Sequence, residues 1–330
     1  MPPSLDIVIV NWNAGNLLRR CIGSIGSALT GGFTLNRLVV VDNASTDGSA
    51  DHLPGNGLPL TVLRNDRNRG FAAACNQGAV DSRADHILFL NPDTELGPAS
   101  LAPALAFLEE PANARVGIVG IRLRGEDGAI QRSCARAPTP SRLMAQSVGL
   151  DRAMPKQFPP HFMQEWDHGD TRPVDQVMGA FLLIRSSLFE SLGGFDERYF
   201  VYFDDVDLCL SARRAGWEVV HFAGAEARHK GCGTTEGIKD IRLFYSLRSR
   251  LLFSGKHFGP MATVAVAIAT AIVEPMVRIA HAIRRGVPGE AAAAWRGARL
   301  LWADLPAILP QLFRPPPPSR PMDNHPTGNR

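Results

Sequence analysis

Leu38-Val39-Val40-Val41-Asp42-Asn43-Ala44-Ser45-Thr46-Asp47-Gly48-Ser49 is the stretch on which the fold turns. A short apolar run rich in β-branched side chains and closed by a polar turn predicts a strand buried on both faces. Asp42 stands at its carboxyl end, where a carboxylate can accept a hydrogen bond from a pyrimidine N–H or a ribose hydroxyl, while Ser45, Thr46 and Asp47 shape the turn. Alone, the same letters describe a helix-capping turn. The segments around them decide.

From residue 5 to about 120, similar runs alternate with helical stretches, the pattern of βαβ units on a parallel sheet. The strand candidates are Asp6-Val10, Leu38-Val41, Leu60-Leu63, His86-Leu90 and Val116-Val119. The first, second and fourth run into polar clusters: Asn11-Trp12-Asn13, Asp42-Asn43-Ala44-Ser45 and Asn91-Pro92-Asp93. In an open parallel sheet the carboxyl ends of the strands border the ligand crevice, so these clusters should share one site. Asn68-x-Gly70-Phe71 enters a small-residue helix, Ala72-Ala73-Ala74, whose first N–H groups could face a diphosphate. A glycine helix entry with Phe71 in the core explains the same letters.

Prolines punctuate residues 121 to 173, which read as hairpin, short helix and loop. Structure resumes with the apolar run Val177 to Ile184, then Gly193-Gly194-Phe195-Asp196 and the aromatic run Tyr199 to Phe203. Asp204-Asp205 opens a helix that runs from about Val206 to Ala215 and stops at Gly216, before a last strand from Trp217 to Phe222. Two adjacent acids at a helix start between apolar walls cannot both be simple surface charges at no cost. They suit proton transfer or helix capping.

A chain of 330 residues, 45% hydrophobic and 20% charged, is neither disordered nor a coiled coil. Its net charge of +3 is uneven: residues 241 to 330 carry twelve Lys/Arg against four Asp/Glu, leaving a deficit of −5 before them. The basic end is the part suited to an anionic surface. Five widely spaced cysteines, Cys21, Cys75, Cys134, Cys209 and Cys232, form no C-x-x-C pair, which argues against a disulfide framework or zinc cage and fits a reducing cytosol. The short run Leu5 to Val10 breaks into polar residues and reads as a first strand, not a signal peptide. Beyond residue 238 the chain reads as helices to about 312, followed by a tail containing Pro315 to Pro318. The uncharged run Phe258 to Val273 is sixteen residues, short of the ~20 that span a bilayer. A helix lying in the membrane interface, with Arg284, Arg285, Arg296 and Arg299 near headgroups, is the expectation; helices packed on the core are the alternative.

Taken together, Val41 to Ser49, Asn68-Arg69-Gly70-Phe71-Ala72, Leu90-Asn91-Pro92-Asp93 and Tyr202 to Leu208 closely resemble glycosyltransferase family two, over residues 5 to about 257. Within it they lean toward bacterial rhamnosyltransferase-like members that extend lipid-linked glycans. The resemblance implies an α/β GT-A nucleotide-sugar-binding fold with a mainly parallel central sheet, a helical C-terminal extension and an inverting mechanism. It divides the chain into a catalytic domain over 1–237 (nucleotide-binding half about 1–120, acceptor-side half about 121–237), a membrane-associating extension over 238–312 and a disordered tail over 313–330.

It also implies roles. Asp42 binds the base or ribose, Trp12 can stack on the base, and Asn68, Gly70 and Asn91 border the donor. Leu90-Asn91-Pro92-Asp93 takes the place of the family's Asp-x-Asp motif, with Asn91 where the first acid belongs. A divalent metal, Mg²⁺ or Mn²⁺, would then rest on Asp93, phosphate oxygens and His229, and an imidazole ligand tilts the choice toward Mn²⁺. By family position Asp205 is the general base, Asp204 the runner-up, and Asp207 serves the helix start. Gly179-Ala180-Phe181 and Gly193 to Glu197 resemble the acceptor-side floor.

The implied activity moves one sugar, dTDP-rhamnose being the candidate donor and a UDP-hexose the alternative, to a lipid-linked or saccharide acceptor. The work would be cell-envelope polysaccharide synthesis at the inner, cytoplasmic face of the membrane, with no nucleic acid involved. A polymer-extruding synthase would carry Gln-x-x-Arg-Trp and several spans, and a pyrophosphorylase a Gly-rich, Lys-containing start; both are missing. A catalytically inactive nucleotide-sugar-binding membrane scaffold is the rival from another class. Retention of Asp42, Asp93, Asp205 and His229 together argues against it.

Overall fold

The computed structural model describes residues 1–55, 57–231 and 239–313; Cys232 and the tail from residue 314 onward lie outside the described residues. The chain opens with β1 (Ser4–Asn11), α1 (Asn16–Ala28), β2 (Thr34–Asp42), β3 (Leu60–Arg64), α2 (Phe71–Ala79) and β4 (His86–Leu90). These strands lie in the order β3-β2-β1-β4, all parallel, with Asn11 opposite Asp42 and Ile9 opposite Leu90. The first crossovers are those the apolar runs predict, because β1, β2 and β4 are buried along most of their length and α1 turns Leu18, Cys21, Ile22 and Ile25 onto the sheet.

The second half of the sheet is mixed. Next come β5 (Thr94–Leu96), α3 (Ala102–Glu109), β6 (Val116–Arg124), β7 (Cys134–Ala135), α4 (Pro140–Ser147), α5 (Leu150–Ala153), β8 (Arg172–Pro173), β9 (Gln176–Val177) and β10 (Phe181–Arg185). After these follow α6 (Ser186–Leu192), α7 (Asp204–Arg214) and β11 (Glu218–His229). β10 runs antiparallel between β4 and β6, β11 pairs parallel with β6, and β5 closes the edge antiparallel to β11. An antiparallel β10 starts at the sheet edge where β1, β2 and β4 end, which brings Gly179 and Ala180 to the crevice. Two apolar layers, one on each face of the sheet, hold these elements together.

Three boundaries differ from expectation. The division near residue 120 falls inside β6. The last strand does not stop at Phe222: a register shift between Phe222 and Glu226 absorbs the small residues Ala223, Gly224 and Ala225, and pairing resumes to His229. Such a bulge is invisible to a period-two pattern. The apolar run Phe258 to Val273 is part of a longer continuous helix, Pro260–Arg284, 25 residues long and apolar enough to cross a membrane by length and composition.

That helix comprises α9 (Pro260–Ile268), a π-turn (Ala269–Val273) and α10 (Glu274–Arg284), and lies between α8 (Lys239–His257) and α11 (Pro288–Leu312) in sequence. Pro275 has no N–H to give the carbonyl one turn back, and its ring crowds that carbonyl. The π-turn makes room, and the indole Nε1 of Trp302 donates to the freed Ala271 oxygen at 2.7 Å. One face is packed: Arg250 of α8 pairs in the buried interior with Glu274, which also accepts from Ser147 Oγ of α4 at 3.2 Å. The other face is exposed, with Met261, Val264, Ile268, Ile272, Met276 and Ile283 at helical spacing.

Candidate active site

Asn11, fully buried at the end of β1, organises the first polar cluster. Its Nδ2 donates to Asp42 Oδ1 at 2.9 Å, Ser45 Oγ at 3.0 Å and Ser49 Oγ at 2.8 Å. Asp42 is thus held at the crevice edge, its Oδ2 lying 3.7 Å from Arg64 Nη1. Asn13 and Ala44 take left-handed backbone conformations there, at φ 50° and 61°. Asp47 accepts from Gly15 N at 2.8 Å and from Ser49 N at 3.0 Å, tying the two loops together. Trp12 is half-buried beside them.

The Asn68-to-Phe71 segment serves backbone geometry. Asn68 Oδ1 accepts from Asn43 Nδ2 at 2.8 Å and from Gly70 N at 2.9 Å. Phe71 N, the first helical N–H, donates to Phe200 O at 2.6 Å. Gly70 has φ 87°, and a Cβ on it would sit 2.6 Å from the Phe200 carbonyl oxygen, so only glycine allows the aromatic segment to pass this close. These are positioning contacts; the N–H expected to face a diphosphate at Phe71 is occupied by protein.

Asn91 anchors the next cluster through its backbone, Asn91 N donating to Ala180 O at 3.1 Å and Thr94 N to Asn91 O at 3.1 Å. Asp93 then meets the end of β11: Lys230 N donates to Asp93 O at 3.1 Å, and His229 Nε2 lies 3.5 Å from Asp93 Oδ1. A nitrogen and an oxygen at that separation can be neighbouring ligands of one cation. Among the described residues no group of three or more His, Cys, Asp or Glu side chains could hold a metal alone. The pair fits a cation that takes its other ligands from diphosphate and water. A cavity of about 250 Å³ opens here, lined by Arg20, Glu95, Arg228 and Lys230 among others.

Asp204 and Asp205 open α7 behind two consecutive left-handed non-glycine residues, Tyr202 at φ 65° and Phe203 at φ 64°. Such strain persists only where surroundings over-determine it. The bracing comes from α8: Ser249 Oγ donates to Val201 O at 2.9 Å, Arg248 Nη1 to Arg198 O at 2.9 Å and Arg242 Nε to Tyr202 OH at 3.3 Å, while Tyr245 stacks on Phe200. Asp205 Oδ2 accepts from Gly179 N at 3.0 Å and Oδ1 from Val206 N at 2.8 Å. Burial raises its carboxyl above the ordinary value, against the pull of donors Gly179, Val206 and Gln176, which favour the anion. Burial, then the charge of Asp205, pushes Asp204 much further up. Burial thus raises both acids, Asp204 the further, while the donors around Asp205 favour its anion.

Asp207 does more than serve the helix start. It binds Lys256 Nζ at 2.7 Å and His257 Nε2 at 2.6 Å, and Tyr199 OH donates to it at 3.2 Å. Lys256 also reaches Asp196 at 3.0 Å. The extension is therefore welded to the catalytic helix. Asn11, Asn43, Gln131 and Gln176 were not singled out by sequence; the two asparagines lie within the polar strand ends, while the glutamines sit in no motif.

The profile of glycosyl transferase family 2 matches residues 6–190. The chain belongs to this family. An N-acetylglucosaminyl-diphospho-decaprenol L-rhamnosyltransferase of Mycobacterium tuberculosis is 30% identical over 248 residues, 71% of this chain and 78% of that one. A low-salt glycan biosynthesis hexosyltransferase of Haloferax volcanii is 24% identical over 263 residues, 78% of each. A Pyrobaculum calidifontis mannosyltransferase in complex with GDP-Man and Mn²⁺ superimposes with a TM-score of 0.52 at 19% identity, over 94% of this chain and 86% of that one. The fold is GT-A, and this family 2 protein is a rhamnosyltransferase-like glycosyltransferase. The resemblance drawn from the strand-end motifs is the one the family match reports.

Proposed function

We propose that this transferase inverts the anomeric centre while moving one sugar, with dTDP-rhamnose as the first donor to test, to a lipid-linked glycan acceptor at the cytoplasmic membrane face. The observation that carries the reading is the carboxylate pair at the crevice: Asp205, which accepts from Gly179 N and Val206 N, beside Asp204, which burial raises further. Asp205 removes the acceptor hydroxyl's proton as that oxygen attacks the anomeric carbon. Asp42, fixed by Asn11, receives the base or ribose, with Trp12 beside it and Asn68, Gly70 and Asn91 shaping the donor's surroundings. Asp93 and His229 hold a divalent cation, which when bound supplies positive charge to the leaving diphosphate. The Mn²⁺ of the Pyrobaculum enzyme and the diphospho-decaprenol acceptor of the mycobacterial one support these assignments.

Association with the membrane runs through the exposed apolar face of Pro260–Arg284, joined by Trp295 on α11. The test is a panel of dTDP-rhamnose, UDP-hexoses and GDP-mannose with a polyprenyl-diphosphate sugar acceptor, scored by nucleotide release and product anomer. Transfer from a UDP-hexose alone removes the rhamnose assignment; no nucleotide release from any donor, with Mn²⁺ or Mg²⁺, leaves a binding scaffold. Loss of donor binding in Asp93→Ala, and not in wild type treated identically, is expected for the cation site.

A further inference from the structure

Gln131 lies on the hairpin after β6, away from every motif in the sequence, yet it grips His229 at two points. Its Nε2 donates to the His229 carbonyl oxygen at 2.8 Å, and its Oε1 lies 2.7 Å from His229 Nδ1. The amide cannot be turned round, because Oε1 would then face that carbonyl, oxygen against oxygen. The atom opposite Nδ1 is therefore an acceptor, and Nδ1 must carry the hydrogen. That leaves Nε2 as the ring atom aimed at Asp93 Oδ1, 3.5 Å away. This is longer than a charge-assisted hydrogen bond, about 2.7–2.9 Å.

We infer that Gln131 is a positioning residue that locks His229 in its Nδ1–H tautomer and aims the Nε2 lone pair, so that His229 serves as a nitrogen ligand to a divalent cation shared with Asp93. The inference rests on the proposed cation site. Outer-sphere partners of metal-bound histidines act in this way, fixing the ring and raising its basicity. One consequence concerns choice of metal: a correctly aimed imidazole favours Mn²⁺ over Mg²⁺, which prefers oxygen alone. Gln131 thus connects the acceptor-side hairpin to metal preference without touching the metal.

The experiment is Mn²⁺ titration by electron paramagnetic resonance, with dTDP, UDP or GDP present, on full-length wild type, Gln131→Leu, Gln131→Glu, His229→Ala and Asp93→Ala. Gln131→Leu should weaken Mn²⁺ by roughly 10- to 100-fold, the usual cost of losing such a partner, and should narrow the preference for Mn²⁺ over Mg²⁺. Gln131→Glu keeps an acceptor for Nδ1–H but loses the donor to the His229 carbonyl, so it should recover only part of the affinity lost in Gln131→Leu while keeping the Nδ1–H tautomer. Nitrogen-15 spectra of the imidazole should show the Nδ1–H tautomer in wild type and a mixture in Gln131→Leu. A purely structural glutamine would lower the melting temperature and leave metal selectivity and tautomer alone; that result overturns the inference. If Gln131→Leu binds like wild type while Asp93→Ala and His229→Ala do not, the cation site stands and Gln131 has no part in it. Wild-type Mn²⁺ binding in both Asp93→Ala and His229→Ala removes the site and the inference with it.

Discussion

Asp205 and Asp204 differ by one position and by their partners, since Asp205 accepts from Gly179 N and Val206 N while burial pushes Asp204 further up, which makes them separable by the smallest possible change. Asp205→Asn keeps size and hydrogen-bond acceptance but cannot take a proton at neutral pH. Turnover should fall roughly 10²- to 10⁴-fold with donor affinity nearly unchanged, read by single-turnover kinetics and donor titration. Asp204→Asn replaces the acid that burial pushes further up and that lacks the donors of Asp205, so turnover should persist. Wild-type turnover in Asp205→Asn with a dead Asp204→Asn would move the base by one residue. Asp204 also reports on stability. Its carboxyl is raised in the folded chain, so its contribution is full below the unfolded value and is lost as pH climbs through the raised folded value. Asp204→Asn should therefore raise the melting temperature at neutral pH, the gain shrinking toward pH 4; a gain equal at both pH values would show that burial does not raise this carboxyl. These roles were legible in sequence only as alternatives. Adjacent acids at a helix start announce perturbed chemistry, but the donors that choose between them, Gly179 N and the Gln176 amide, arrive from a different strand.

Among the elements, α8 carries a duty the sequence did not disclose. Its amphipathic letters read as the start of an extension, whereas its side chains brace the strained Tyr202-Phe203 turn and its last turn supplies Lys256 and His257 to Asp207. Burial would raise Asp196, but Arg198 and Lys256 hold it down at about 2, so Asp196 is ionised at working pH. Lys256→Met removes the cation common to Asp196 and Asp207. The expected loss is about 3 kcal/mol, the low end for breaking a buried pair, because Arg198 and His257 remain. Urea unfolding measures it, and a change below ~0.5 kcal/mol, the range of an ordinary surface substitution, would show that the cluster is effectively solvated. By contrast β3 and β4 were readable nearly residue by residue, and β1 and β2 in their buried parts, although β2 starts at Thr34, four residues before the expected Leu38. Continuous β-branched runs between polar turns leave little choice, whereas the short β7, β8 and β9 carry too few residues for any period to register.

For the molecule as a whole, the helices beyond residue 238 pack one side on the catalytic core and present an apolar stripe on the other. The sequence could not separate these readings, because an interfacial helix and a packed helix share the same composition until the partner surface is known. With liposomes rich in anionic lipid the protein should float at low salt and be partly released by high salt. Ile272→Glu together with Met276→Glu should abolish flotation while leaving donor hydrolysis in solution intact. Retained flotation would place the membrane contact elsewhere. The bracing of Tyr202 and Phe203 by α8 has a further consequence, for hybrids between relatives. The family profile ends at residue 190, which invites recombination there or within residues 232–238. The later seam would graft a foreign brace onto a turn that cannot hold itself, and the hybrid would fold its sheet yet present a misaimed carboxylate, whereas the earlier one moves turn and brace together. The exchangeable unit ends after His257, not before Lys239.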